Sequence, residues 1–126
     1  MVKGVDALLI EDNLSDAQLF HELLTSSELM KTTLYHAERF NEAIQTLEAN
    51  NNFDVVLLDL CLPDGQGIEL LKQIKTLAPK IPVVVLSGIQ DQNVALAALQ
   101  EGAQDYLVKS DTFSPERLQR FGYVDF

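Results

Sequence analysis

The sequence predicts an α/β fold built on a parallel sheet, and three observations support that prediction. Five short apolar runs alternate with five segments of helical periodicity from one end of the chain to the other. The third and fourth apolar runs contain almost no polar residue, which is typical of strands buried on both faces of a sheet. No linker, repeat or low-complexity stretch interrupts the alternation, so residues 1–126 are expected to form one domain.

The predicted strands are short runs of aliphatic and β-branched residues. The second opens with two threonines, and Pro82 lies near the start of the fourth, where a missing N–H group is tolerated. The expected strands are Asp6–Ile10, Thr32–His36, Asp54–Leu58, Ile81–Leu86 and Tyr106–Val108.

Between these strands, apolar residues recur at three- and four-residue spacing, which predicts helices with one buried face. A fifth helix is expected to open at Ser114 and Pro115, a capping residue followed by proline in the first turn. Gly122 interrupts that pattern after about two turns, so a shortened fifth helix and an irregular tail over 119–126 are predicted. The first four helices are expected at Leu14–Ser26, Glu38–Ala49, Ile68–Leu77 and Asn93–Glu101.

Chain connectivity then restricts the order of the strands. Right-handed crossovers leave few arrangements, and for five β-α units the natural one is the flavodoxin-like, three-layer fold with strand order 2-1-3-4-5. In such a sheet the carboxyl ends of all strands open at one edge, which is where these folds bind ligands.

Composition argues against several classes of function. The formal net charge of −10 disfavours direct binding to nucleic acid, because the surface repels phosphate backbones. The chain contains neither a membrane-length apolar run nor a signal-peptide pattern, so a cytoplasmic protein without a membrane span is expected. Its one cysteine, Cys61, cannot form an internal disulfide and is expected to be reduced.

Acidic residues follow two strands that are predicted neighbours. Glu11 and Asp12 follow the first strand, and Asp59 follows the third. Adjacent strands lie about 4.8 Å apart, and two carboxylates about 5 Å apart repel by about 3 kcal/mol at an effective dielectric constant of roughly 20. A divalent cation relieves this repulsion, and oxygen ligands suit Mg²⁺, which usually also takes a phosphate ligand. The backbone carbonyl of Cys61 is a further candidate ligand.

The other strand ends fit phosphoryl chemistry. Ser87 follows the fourth strand and Lys109 the fifth. Asp59 is therefore a candidate nucleophile that forms an aspartyl-phosphate, while Lys109 and Ser87 contact the phosphoryl oxygens.

Each polar residue taken singly also has an ordinary structural explanation. Asp12 or Asn13 is suited to cap the first helix, and Asp64 to form a turn with Gly65. His21 and His36 have no metal-ligand spacing and are interpreted as surface or packing residues. Only the agreement among four strand ends favours a functional site.

These residues resemble the receiver domain of bacterial two-component response regulators over about residues 5–118. The segments that carry the resemblance are Glu11–Asp12, Leu57–Gly65, Leu86–Gly88 and Gly102–Lys109. The resemblance implies that Asp59 accepts a phosphoryl group from a sensor histidine kinase or a phosphotransfer protein. It also implies that Lys109 contacts this group and that Mg²⁺ is bound by Glu11, Asp12, Asp59 and the Cys61 carbonyl.

The resemblance further implies a conformational switch and a regulatory role. Ser87 and Tyr106 would form the switch pair, which alters a face made by the fourth helix, the fifth strand and the fifth helix. Such a domain is no enzyme beyond its own Mg²⁺-dependent phosphorylation and dephosphorylation. The expected partners are the kinase and an output domain or target protein, with a homodimer as one option.

Three features depart from the family pattern. Ser110 stands where the family usually has proline, so a cis peptide bond there would be costly. Ser87 stands where many members have threonine, and it keeps the hydroxyl but loses the β-branch. The short fifth helix would reduce the signalling face.

Three alternative functions are weaker. An aspartate-nucleophile phosphatase would carry a second aspartate where this chain has Cys61, and its nucleophile would follow the first strand. A flavodoxin would need a phosphate-binding loop in place of Glu11-Asp12-Asn13. A receiver-like module that is never phosphorylated would not need the full set of acids, hydroxyl and lysine.

Overall fold

The computed structural model describes residues 3–25, 30–88 and 90–109. Strands and helices alternate along this part of the chain, with two very short strands inserted after the third. The elements are β1 (Lys3–Ile10), α1 (Leu14–Thr25), β2 (Met30–Ala37), α2 (Phe40–Ala49), β3 (Val55–Asp59), β4 (Cys61–Leu62), β5 (Gly65–Gln66), α3 (Ile68–Leu77), β6 (Val83–Ser87), α4 (Gln92–Gln100) and β7 (Asp105–Val108).

The main sheet has five strands in the order β2-β1-β3-β6-β7, and all its pairings are parallel. Because β6 and β7 are its fourth and fifth strands along the chain, the predicted flavodoxin-like order is confirmed. Strand β3 lies at the centre, and each of its five residues is buried.

Side chains alternate between two core layers on opposite faces of this sheet. On one face, Ala17 and Phe20 of α1 pack on residues such as Leu9 and Leu57. On the other face, α2, α3 and α4 cover a larger cluster that contains Leu58 and Val85. This arrangement confirms helices on both sides of the sheet. None of the helices in the described ranges is long and apolar enough to cross a membrane.

Several element boundaries differ from the predicted ones. Strands β1 and β2 begin earlier than expected, at Lys3 and Met30, because they pair with each other over eight positions. Helix α4 begins at Gln92, where the side chain of Asp91 accepts hydrogen bonds from two backbone N–H groups. Leu14 fits the helical apolar spacing of α1, yet 62% of it is exposed.

The antiparallel pair β4–β5 was not expected from the sequence. Leu62 pairs with Gly65 around a two-residue turn, and Cys61 pairs with Gln66. Two-residue strands are too short to show a hydrophobic period, so the sequence predicts only a turn in this segment. The predicted fifth helix, the tail over 119–126 and Ser110 lie outside the described residues.

Candidate functional site

The site lies at the carboxyl edge of the main sheet, where β1, β3 and β7 end. Asp59 is the last residue of β3 and is only 4% exposed. Glu11 follows β1 and is completely buried, whereas Asp12 beside it is exposed. The edge therefore presents two buried carboxyl groups and one that faces solvent.

The backbone of Glu11 is fixed by hydrogen bonds to the end of β2. Its N–H group donates to the carbonyl oxygen of Ala37 over 3.0 Å. Its own carbonyl oxygen lies 2.6 Å from Nε2 of His36, which donates in the tautomer that carries the proton on Nε2. His36 is exposed, as expected, but it also supports the loop that carries Glu11.

A single ammonium group contacts three carboxylates at this edge. Nζ of Lys109 lies 2.5 Å from Oε1 of Glu11, 3.1 Å from Oδ2 of Asp16 and 3.2 Å from Oδ2 of Asp59. The Lys109 side chain is 14% exposed, so water screens these ion pairs only in part. Oδ1 of Asp59 accepts a hydrogen bond of 3.0 Å from the N–H group of Cys61.

The electrostatics of the site reflect an excess of acid. Burial raises the pKa of Glu11 to about 8, and the neighbouring Asp59 adds to this rise, while Lys109 partly opposes it. Burial alone would lower the pKa of Lys109, but contacts with Glu11, Asp59 and Asp16 prevail and raise it. The ammonium group is therefore firmly charged, whereas Glu11 readily holds a proton.

Three of the acids are close enough to share a cation. One carboxylate oxygen from each of Glu11, Asp12 and Asp59 lies within 4.8 Å of the others. Within the described part of the chain, Oε1 of Glu11 is a buried side-chain oxygen without a hydrogen bond of good geometry, despite its ion pair with Lys109. Hard oxygen donors with uncompensated charge fit a divalent metal ion.

The expected switch residues lie on adjacent strands. Tyr106 of β7 is opposite Val85 of β6, and Ser87 follows Val85 by two positions. Residues two apart in a strand share a face of the sheet, so Ser87 and Tyr106 lie on the same face. Tyr106 also packs against the larger core cluster. Ser87 is opposite Val108, the residue that precedes Lys109.

The sequence did not reveal one contact at the site and one contact outside it. Asp16 was not singled out, although an acid one helical turn after Asp12 was a usable signal. Asp64 was expected only to form a turn, and it does lie between β4 and β5. Its carboxylate also accepts hydrogen bonds from the N–H groups of Phe40 and Asn41, over 2.8 and 2.9 Å, at the start of α2.

Comparison with known proteins identifies the family. The model of the response regulator receiver domain matches residues 7–120. The chain belongs to this family. The expected resemblance is thereby confirmed, and the chain is a regulatory receiver domain of the kind found in two-component response regulators.

Curated relatives from bacteria and from a plant match most of the chain. The transcriptional regulatory protein ZraR of Klebsiella oxytoca is 34% identical over 90% of this chain, which covers only 25% of ZraR. The two-component response regulator ORR3 of Oryza sativa subsp. indica is 33% identical over 81% of this chain and 77% of its own length. The chain thus spans a quarter of the first relative and most of the second.

Solved structures with the same fold include two response regulators, one of which is cyanobacterial. The phosphorylated phytochrome response regulator RcpA superposes with a TM-score of 0.80 at 27% identity, over 96% of this chain and 94% of RcpA. The Mn(2+)-bound form of response regulator Rcp1 gives the same TM-score and identity, over 96% and 95% of the two chains.

Proposed function

We propose that Asp59 is the phosphoacceptor of this receiver domain and that its phosphodonor is a phosphohistidine of a sensor histidine kinase or phosphotransfer protein. The observation that carries the proposal is the position of Asp59, which is buried at the end of β3 and lies 3.2 Å from the Lys109 ammonium. A carboxylate oxygen of Asp59 forms a bond to phosphorus while the bond from phosphorus to the donor nitrogen breaks. The imidazole leaves with the electron pair of that bond.

The surrounding residues have distinct roles in this reaction. Lys109 balances charge on the phosphoryl oxygens, and its ammonium is already held next to Asp59 before the reaction. The N–H group of Cys61 fixes one oxygen of Asp59 and thereby orients the carboxylate. Glu11, Asp12, Asp59 and the Cys61 carbonyl would hold Mg²⁺, which supplies further positive charge to the phosphoryl group when it is bound.

Two observations support a divalent cation and, within that class, Mg²⁺. The acids Glu11, Asp12 and Asp59 form an oxygen-only cluster, which suits Mg²⁺ better than it suits softer metals. The related Rcp1 has been solved in a Mn(2+)-bound form. We extend this from Mn²⁺ to Mg²⁺ for our chain because both ions favour oxygen ligands.

Phosphorylation is proposed to act through Ser87 and Tyr106. The Ser87 hydroxyl would donate to a phosphoryl oxygen, and Tyr106 would move on the same face of the sheet behind it. Such a charge-assisted contact needs to change the free-energy difference between two states of a loop by only a few kcal/mol to change their populations. The output surface would include α4, where Leu96 and Leu99 are 57% and 48% exposed.

The proposed partners follow from this role. They are a phosphodonor kinase or phosphotransfer protein and an output domain or target protein, with a homodimer as one option. Relatives such as ZraR and NtrC are named as transcriptional regulators and are much longer than this chain. We place the domain in a bacterial cytoplasm, with no membrane partner, and its net charge of −10 argues against direct contact with nucleic acid.

Intact-mass measurement tests the phosphoacceptor. The protein is incubated with acetyl phosphate and Mg²⁺, and wild type should gain the mass of one phosphoryl group. Asp59→Asn should gain none, whereas Asp6→Asn, an exposed carboxylate in β1, should behave as wild type. Uptake by Asp59→Asn, or a wild type that stays unmodified and also does not respond to beryllofluoride, would contradict the proposal.

A further inference from the structure

Asp16 contacts Lys109 but is not one of the acids grouped at the candidate metal site. Its Oδ2 atom lies 3.1 Å from Nζ of Lys109, close to the 3.2 Å that separates Nζ from Asp59. The three acids that share the candidate metal site are Glu11, Asp12 and Asp59. The Asp16 side chain is 25% exposed, so it is a partly buried partner for the ammonium.

The start of α1 explains why the Asp16 carboxylate is available for this contact. Asn13 caps the helix, because its Oδ1 atom accepts a hydrogen bond of 3.0 Å from the N–H group of Asp16. Asp16 is the third residue of the helix. An acid at this position often accepts, in return, a hydrogen bond from the N–H group of the capping residue. Here that N–H group donates to Oε2 of Glu11 over 3.3 Å, and the Asp16 carboxylate contacts Lys109 instead.

We propose that Asp16 is a positioning residue that holds the Lys109 ammonium beside Asp59 through the phosphorylation cycle, a role that rests on the proposed function of Asp59. Asp16 would not touch the phosphoryl group itself. The lysine side chain is long and flexible, so one fixed carboxylate at its tip restricts where the ammonium can lie.

The three acids that contact Lys109 differ in what else they would bind, and this difference supports the role of Asp16. Glu11 and Asp59 are needed both by Lys109 and by a bound divalent cation. Phosphorylation also changes the charge of Asp59. Asp16 contacts Lys109 but would take part neither in cation binding nor in phosphorylation. It can therefore keep the ammonium in place when the contacts with Glu11 and Asp59 change.

Removing the charge of Asp16 should therefore disturb the whole site. The ammonium of Lys109 would then be held by Glu11 and Asp59 alone. A divalent cation would have to compete with the ammonium for both carboxylates. We expect Asp16→Asn to weaken Mg²⁺ binding and to slow phosphorylation, each by about three- to tenfold, as for the loss of one partly buried ion pair.

Three variants and two direct readouts test this expectation. The Lys109 ammonium is observed by nitrogen-15 NMR in the metal-free protein, and Mg²⁺ affinity is measured by titration. Asp16→Asn should shift the Lys109 resonance and weaken Mg²⁺ binding, and Asp16→Glu should restore part of both. Glu22→Gln, which removes an exposed carboxylate from the same helix, should leave both at their wild-type values.

A double-mutant cycle separates positioning from a simple effect of charge. In a Lys109→Met background, Asp16→Asn should change Mg²⁺ affinity by less than about twofold, because the residue it positions is absent. A full effect in that background would overturn the inference, since Asp16 would then act directly on the cation.

The outcomes also separate this inference from the proposed function. If wild type is phosphorylated at Asp59 but Asp16→Asn matches Glu22→Gln in both readouts, the positioning role alone is overturned. If wild type is not phosphorylated, the phosphoacceptor function fails and the inference fails with it. A shifted Lys109 resonance with partial rescue by Asp16→Glu, in a protein that is phosphorylated, supports both.

Discussion

The ammonium of Lys109 lies 3.2 Å from Oδ2 of Asp59, although 50 positions of sequence separate the two residues. They meet because β3 and β7 run in the same direction and end at the same edge of the sheet, with β6 between them. The lysine also contacts Glu11 and Asp16, so one cation partly balances three acids. The charge balance of this edge should therefore control both the stability of the domain and its chemistry.

Removal of the lysine charge should destabilise the metal-free protein. We expect Lys109→Met to lower the free energy of unfolding by about 1–3 kcal/mol, because it leaves two buried acids without their cation. The loss stays below that of a fully buried pair because Glu11 can take up a proton and Asp16 is partly exposed. Urea unfolding at neutral pH measures the effect.

Added Mg²⁺ distinguishes this explanation from a general packing defect. A bound cation stabilises the folded state by mass action, so millimolar Mg²⁺ should restore much of the stability lost in Lys109→Met. Lys80→Met, which removes an exposed ammonium, should change little with or without the metal. An equal loss in both variants, or a loss that Mg²⁺ does not alter, would argue against the charge balance described here.

The buried carboxyl group of Glu11 should make the metal-free protein less stable as pH rises. Its pKa is raised from an ordinary 4.5 to about 8 in the folded protein, mainly by burial. Between these values the folded state binds a proton that the unfolded state has lost, so linkage requires stability to decrease with increasing pH. The contribution of Glu11 to that slope is at most about 1.4 kcal/mol per pH unit.

Replacement of Glu11 by its neutral amide isolates this contribution. Glu11→Gln should flatten the decline of stability between about pH 5 and pH 8 in urea unfolding without metal. Glu48→Gln, an exposed carboxylate in α2, should keep the wild-type slope. If the slopes of wild type and Glu11→Gln coincide, Glu11 is not the group that titrates.

The fold was predictable because its determinants are regular along the chain. The continuous apolar run that became β3 revealed a central buried strand, and the handedness of parallel crossovers then left few strand orders. The buried central strand and the strand order also predict that Glu11, Asp59 and Lys109 lie at one edge of the sheet. This prediction requires no knowledge of side-chain contacts.

Other features depend on contacts that no local pattern encodes. Asp64 caps α2 from 24 positions away in the sequence, and Asp16 meets Lys109 across 93 positions. Leu14 fits the apolar spacing of its helix but is exposed, since the spacing gives the period of α1 and not where its buried stripe begins.

Loss of the distant cap should weaken α2 without affecting the acidic site. The carboxylate of Asp64 accepts hydrogen bonds from the backbone N–H groups of Asn41 and Phe40, and these bonds lower the pKa of the carboxyl group. Its stabilising contribution is therefore present at neutral pH and is lost in acid, as the carboxyl group takes up a proton. We expect Asp64→Ala to cost about 1 kcal/mol in urea unfolding.

Two comparisons make this result specific to capping. Asp64→Asn keeps an oxygen acceptor without the charge and should fall between wild type and alanine. Glu38→Ala removes an exposed carboxylate near the start of the same helix and should cost only a few tenths of a kcal/mol. A loss as large in Glu38→Ala would mean that general charge near α2, and not the cap, is responsible.

The Ser87 hydroxyl should couple phosphorylation at Asp59 to the environment of Tyr106. Ser87→Ala removes the hydroxyl that is proposed to donate to the phosphoryl group. We therefore expect phosphorylation by acetyl phosphate to slow by about tenfold, as for the loss of one hydrogen bond to a charged group, and still to reach completion. The NMR signals of the Tyr106 ring should then no longer change on phosphorylation. Ser87→Thr keeps the hydroxyl and should retain both the rate and the ring response within about twofold. A Tyr106 response that persists unchanged in Ser87→Ala would show that the signal leaves Asp59 by another route, for example through Lys109 at the end of β7.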